Sequence, residues 1–124
     1  MGVNFKVTGI GKSILYLNNK NKKVKSSIAN SMEASKKILL DEVEASVSGR
    51  KAEPMSVDTG RFLRSIGAEV SENAVVVKSD VEYAQFLEYG TAKIPERRHF
   101  RNSMSRKKKE IKDTIKTNVE KATR

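Results

Sequence analysis

The chain contains no cysteine and only one histidine. Without cysteine there is no disulfide, no thiol nucleophile and no thiolate metal site, which suits assembly in a reducing cytoplasm. No apolar run approaches the ~20 residues needed to cross a bilayer. The opening MGVNFKVTGIGKSILYL lacks the apolar core of a signal peptide. A soluble, unexported protein with no membrane partner is therefore expected. Catalysis needs several groups held together, and candidates are scarce. His99 sits among Arg97, Arg98 and Arg101, which disfavour its protonated form, with Glu96 as the one nearby acid.

What the chain has in excess is positive charge. The formal net charge is +10 over 124 residues. Arg97 to Arg124 hold eleven basic and three acidic side chains, leaving fourteen basic and twelve acidic over the first 96 residues. The excess thus sits in the C-terminal segment. Such a block is a solvated helix face or arm, or a surface for phosphate or an acidic protein. The length suits one core. We expect a single α+β domain over residues 1–100 and a basic helix or arm over 101–124.

The alternation Val3-Asn4-Phe5-Lys6-Val7 predicts a strand over 3–8. Positions 24, 28, 32, 35, 39, 43 and 47 recur every three to four residues, with Ser35 the one weak member. They mark the buried face of a long amphipathic helix from about Lys20 to Val47, stopped at Gly49. Residues 49–57 have no periodicity and read as a mobile loop. Asp58 or Thr59 can cap a short helix through Arg61 to Ile66. Ala68–Ser71 and Ala74–Lys78 read as a hairpin, and Val81–Tyr89 as a short helix that Gly90 stops. The stretch TAKIPERRHF is extended or looped around Pro95. A last helix from about Arg101 to Ala122 shows only a thin stripe of Met104, Ile111, Ile115 and Val119, as in a helix docked at an edge or ordered by a partner. The fold class is α+β: a small antiparallel sheet, a long helix packed across it and a basic C-terminal helix.

Segments that hint at chemistry have plainer explanations. Gly9-Ile10-Gly11-Lys12-Ser13 suggests a phosphate loop, but Lys6 stands where the pattern needs a first glycine, so a turn is the better reading. Asp41, Glu42 and Glu44 are interleaved with lysines and read as a solvated helix face, whose i,i+4 pairs contribute ~0.2–0.5 kcal/mol each. Asp58 precedes Thr59-Gly60 and a helical run, as a helix cap does. No catalytic, cofactor-binding or metal-binding residue is assigned.

Val57-Asp58-Thr59-Gly60-Arg61 with Leu63-Arg64-Ser65-Ile66, and then Tyr83-Ala84-Gln85-Phe86-Leu87-Glu88-Tyr89-Gly90-Thr91, carry a resemblance. The chain resembles a family of small morphogenesis proteins of long-tailed phages. There, a Val-Asp-Thr-Gly-Arg segment follows a long helix, and two strands and a Tyr-Ala-x-x-x-Glu-x-Gly-Thr segment come next. Arg98-His99-Phe100 stands at the family's Arg-Pro-Phe element, with His99 in place of proline. Phe62 precedes Leu63 where the family sets leucine directly after arginine, and Met55 and Ser56 part Pro54 from Val57.

The resemblance implies a structural virion protein of the head–tail neck that joins or completes the tail. It implies ring-forming subunits, other neck, portal-side or tail proteins as partners, and no enzyme activity. The expected location is the virion neck, with the host cytoplasm during assembly. Asp58, Thr59, Gly60, Tyr83, Gly90 and Thr91 are the structural motif residues, and Phe62, Leu63, Ile66, Tyr83, Phe86 and Leu87 are expected in the core. Arg61, Arg64 and Glu88 are candidates for contacts between subunits. Arg97, Arg98, Arg101, Arg106, Lys107, Lys108 and Lys109 are candidates to face an acidic partner or, weakly, transiting DNA. The competing reading is a stand-alone, non-specific nucleic-acid-binding protein using the basic C-terminal helix. Against it, the basic residues lack aromatic interleaving apart from Phe100.

Overall fold

The structure, a computed structural model, describes residues 3–7, 22–57, 60–71 and 74–122. The chain runs β1 (Val3–Val7), α1 (Lys22–Val47), α2 (Arg61–Ser65), β2 (Gly67–Ser71), β3 (Ala74–Ser79), α3 (Ala84–Tyr89) and α4 (His99–Ala122). The fold is α+β, with the elements in the expected order. The expected turn at 9–13, the caps Asp58 and Thr59, and the hairpin tip at Glu72 and Asn73 lie outside the described residues.

β3 is the centre of a three-stranded antiparallel sheet in the order β1-β3-β2. Val77 faces Phe5 on one side and Ala68 on the other. The run Ala74-Val75-Val76-Val77 supplies the stiff β-branched side chains that favour a central strand. Its period-2 alternation turns Val75, Val77 and Ser79 into the core and leaves Val76 and Lys78 half-buried on the opposite face.

α1 buries Ile28, Met32, Ser35, Leu39, Val43 and Val47, the periodicity read from the sequence. It lies against β2 and β3 on one side and against α4 on the other. The second contact widens its buried face to include Ser31, Glu42 and Ser46. Ser31 and Ser35 are small enough to admit a neighbouring helix, and each returns its hydroxyl to the carbonyl four residues back at 2.8 Å. α4 runs antiparallel to α1: Ser27 Oγ donates to the Asn118 carbonyl at 2.7 Å, and Asn118 Nδ2 donates to Ser31 Oγ at 2.8 Å.

Two sequence expectations change here. The last helix starts at His99 rather than Arg101, so a boundary at residue 100 falls inside it. Its Phe100, Ile111 and Ile115 join the common core, with Met104 and Val119 packed against it, so the rest of the chain orders the helix. Phe86 is not in the core: it is 46% exposed. The inward face of α3 carries Ala84 and Glu88, four apart, and Phe86 therefore points away. Phe62 and Ile66 are buried as expected, with Leu63, Tyr83 and Leu87 partly buried around them.

Leu39, fully buried in the core cluster, is the sharpest test of this packing. Leu39→Ala is expected to lower unfolding stability by ~2–5 kcal/mol in urea titrations, while Lys37→Ala, two residues away and exposed, changes it by less than ~0.5 kcal/mol.

Candidate functional site

The polar groups that matter most lie where the 48–57 loop and α3 meet α4. Gly49 (φ 82°) turns the chain out of α1, so that Arg50 N–H bonds the Ala45 carbonyl at 2.9 Å. The chain then folds back, and Ser56 N–H reaches the Val47 carbonyl at 2.8 Å. This return carries Glu53 into the α1–α4 seam, where it is 5% exposed. Arg106 grips it with a two-pronged fork, Nη1 to Oε2 at 2.7 Å and Nη2 to Oε1 at 2.8 Å. Asn102 Nδ2 adds a bond at 3.1 Å and Ser46 Oγ another. The Arg106 bonds outweigh burial and hold the Glu53 carboxyl down at about 2. The third nitrogen of Arg106, Nε, donates to Glu42 at 2.6 Å, and Lys51 Nζ lies 3.4 Å from the same carboxylate.

The loop is thus fastened, contrary to its expected mobility. Glu42 is likewise no part of a solvated face; it is 4% exposed and paired with α4.

His99 completes this cluster. It is fully buried, with Nδ1 2.7 Å from Ser46 Oγ and Nε2 2.6 Å from Ser56 Oγ. Ser46 gives its proton to the Glu53 carboxylate, so Nδ1 donates to Ser46 and Nε2 accepts from Ser56. Arg97 Nη1 donates to Ser56 Oγ at 2.8 Å and to the Met55 carbonyl at 2.9 Å. Burial above all, with Arg97 and Arg106 adding to it and Glu53 opposing, pushes the imidazole down to about 4. Its acid neighbour is Glu53, brought 46 residues along the chain, rather than Glu96. A base this weak abstracts a serine proton poorly at neutral pH, and Glu53 reaches the ring only through Ser46. The arrangement binds a loop to a helix.

The second cluster explains the glutamate of the Tyr-Ala-x-x-x-Glu segment. Glu88 is 1% exposed, and its carboxylate accepts the Phe100 N–H at 2.9 Å, the Arg101 N–H at 3.0 Å and Arg101 Nε at 2.9 Å. It therefore caps the first turn of α4, where unpaired N–H groups favour an anion. Gly90 (φ 77°) follows; a Cβ there would lie 2.7 Å from Glu96 N and 2.8 Å from the Ile94 carbonyl. Thr91 Oγ1 accepts from Ile94 N–H at 3.0 Å and holds the next turn. The carboxylate of Glu88 is spent within the chain, which removes it from the subunit-contact candidates.

The other candidates divide between internal use and the surface. Arg101 is committed to Glu88 and Glu96. Lys107 bonds Glu110 at 3.0 Å, with Glu42 at 3.8 Å. Arg98 adopts φ 59° and pairs with Glu96 at 3.6 Å. Arg61 makes a fork to Glu82 at 3.0 and 2.9 Å on the surface. Arg64, Lys108 and Lys109 are exposed. No sequence signal marked Glu53. The four-residue spacings of Ser31–Ser35 and Glu42–Ser46 were a readable sign of a second helix contact on α1. Among the described residues, no group of three or more acidic or histidine side chains is placed to hold a metal ion.

Both motif segments border one open cleft of ~500 Å³, with Val57, Gly60, Arg61 and Phe62 on one wall, Tyr83 and Leu87 on another and Arg97 at the rim. Phe62 and Tyr83 meet at its base, ring centroids 6.1 Å apart. Met55 in its lining is 60% exposed, and Phe86, Tyr89 and Ile94 are 40–55% exposed.

A family model described as "Bacteriophage HK97-gp10, putative tail-component" matches residues 12–90. The chain belongs to this family. The match runs over α1, the cleft and α3 and ends at Gly90, so membership marks the chain as a tail-related structural component of a phage. No curated protein and no solved structure gives a significant match.

The His99 cluster sets a pH dependence. The folded imidazole titrates near 4 against an ordinary 6.5, so the unfolded chain binds more protons between those values and stability falls as pH drops from 6.5 to 4. Glu53, folded near 2 against 4.5, adds a second loss below pH 4.5. Urea titrations of His99→Gln are expected to show a flatter decline between pH 7 and 5 than the parent protein; an unchanged decline counts against this assignment.

Proposed function

We propose that this family member is a subunit of the head–tail neck, joining or completing the tail at the portal end as one copy in a ring. Family membership supports a phage structural role. The observation that carries the finer reading is that both motif segments border one open cleft, lined in part by exposed Met55, while Phe86 and Tyr89 of the second segment and Ile94 just after it are exposed as well. Exposed apolar groups beside a concave site mark protein contact surfaces. A ring needs two different surfaces that meet head to tail. The cleft with Arg61 and Arg64 at its edge offers one, and the aromatic edge of α3 offers the other. The internal clasps keep these surfaces rigid, so docking need not order the 48–57 loop. The working location is the virion neck, reached from the host cytoplasm during assembly.

Disrupting the gene in its phage or provirus and imaging the induced particles tests this reading. Tailless heads beside free tails, with normal head shells, are expected. Complete, infectious tailed particles overturn it.

A further inference from the structure

The basic C-terminal segment separates into two populations once its partners are known. Arg101, Arg106 and Lys107 are committed to Glu88, Glu96, Glu42, Glu53 and Glu110. Lys108, Lys109, Lys112 and Lys116 are exposed and make no ion pair with any described residue. Lys108, Lys112 and Lys116 follow one another at four-residue spacing, with Lys109 beside them. They run about 12 Å along α4, from the flank of the Ile111–Ile115 stripe, where Lys108 and Lys112 stand, to the outward face with Lys109 and Lys116. Glu110, on another side, is bonded to Lys107. Asp113 and Glu120, four residues from Lys109 and Lys116 respectively, offset two charges and leave an excess of two.

We infer that this row is a binding stripe for the phosphate backbone of double-stranded nucleic acid. It takes the place of the broader Arg97–Lys109 block as the phosphate-facing surface. The composition of the row decides between phosphate and an acidic protein. Protein interfaces are depleted in lysine at their centres and anchored by aromatic residues and arginine. Its exposed members are all lysines, and of the neighbouring apolar residues Ile115 is buried in the core and Val119 is packed against it. Such a surface lacks the desolvated anchor that a protein contact needs, but it suffices for phosphate binding, whose driving force is counterion release. The lysines are mobile point charges rather than planar forks, so contact is loose and carries no sequence preference. The inference does not depend on the neck reading, and particle morphology does not bear on it.

The test is fluorescence anisotropy of the full chain with a labelled duplex of about 30 base pairs, titrated at several salt concentrations. Four phosphate contacts give a slope of log K against log[salt] of about −3 to −4, or roughly a 100-fold loss between ~50 and ~200 mM salt. Lys112→Ala/Lys116→Ala removes two contacts, and the slope should shrink by about 2. Lys78→Ala/Lys93→Ala removes equal charge from the far sheet face and the 91–98 loop, and should leave the slope unchanged. Lys93, Lys112 and Lys116 are exposed, Lys78 is half-buried on the outer sheet face, and alanine favours helix at 112 and 116; circular dichroism verifies that both double variants keep the fold. An equal change in both double variants, or no change in the first, overturns the stripe. Tighter binding to polyglutamate than to the duplex overturns it in favour of an acidic protein.

Discussion

Three glutamates buried on three separate segments hold this domain together by binding one helix. Glu42 on α1, Glu53 in the loop after it and Glu88 on α3 are each at most 5% exposed, and all engage α4 through Arg106, Arg101 or its first-turn N–H groups. A buried carboxylate without partners is costly, and a fully bonded one fixes geometry. Because α4 supplies the partners, the loop and α3 are locked to it together. They in turn form the walls and rim of the cleft. Removing one cation therefore strands an acid rather than subtracting a single contact.

This economy also accounts for the very basic character of α4. Part of its charge is matched to acids within the chain, and part is left exposed. A count of lysines and arginines treats the two alike. The difference lies in the partners within reach, since Arg106 and Lys107 meet Glu42 of α1, whereas Lys112 and Lys116 are exposed with no described acid at ion-pair distance.

Much of this was legible in the sequence. The long periodicity gave α1 with its buried face, the β-favouring valines of Ala74–Lys78 marked one strand of a hairpin, and Gly49 and Gly90 marked two sharp changes of direction. What escaped was the pairing between distant polar groups. Glu53 sits 53 residues from Arg106, and Ser46 the same distance from His99, so no local spacing links them. The outward turn of Phe86 escaped for a related reason. Hydrophobicity suggested burial, but Glu88 needed the inward position to cap α4, and helical geometry sent Phe86 the other way.

The coupling of Glu53 and Arg106 is the centre of the account, and a double-mutant cycle measures it most directly. Urea unfolding of Glu53→Gln, Arg106→Met and the double variant at pH 7 should show each single change costing several kcal/mol. The double variant should cost clearly less than their sum, with an interaction energy on the order of 2 kcal/mol or more. Additive costs within about 0.5 kcal/mol would mean that the pair does not hold the loop to the helix.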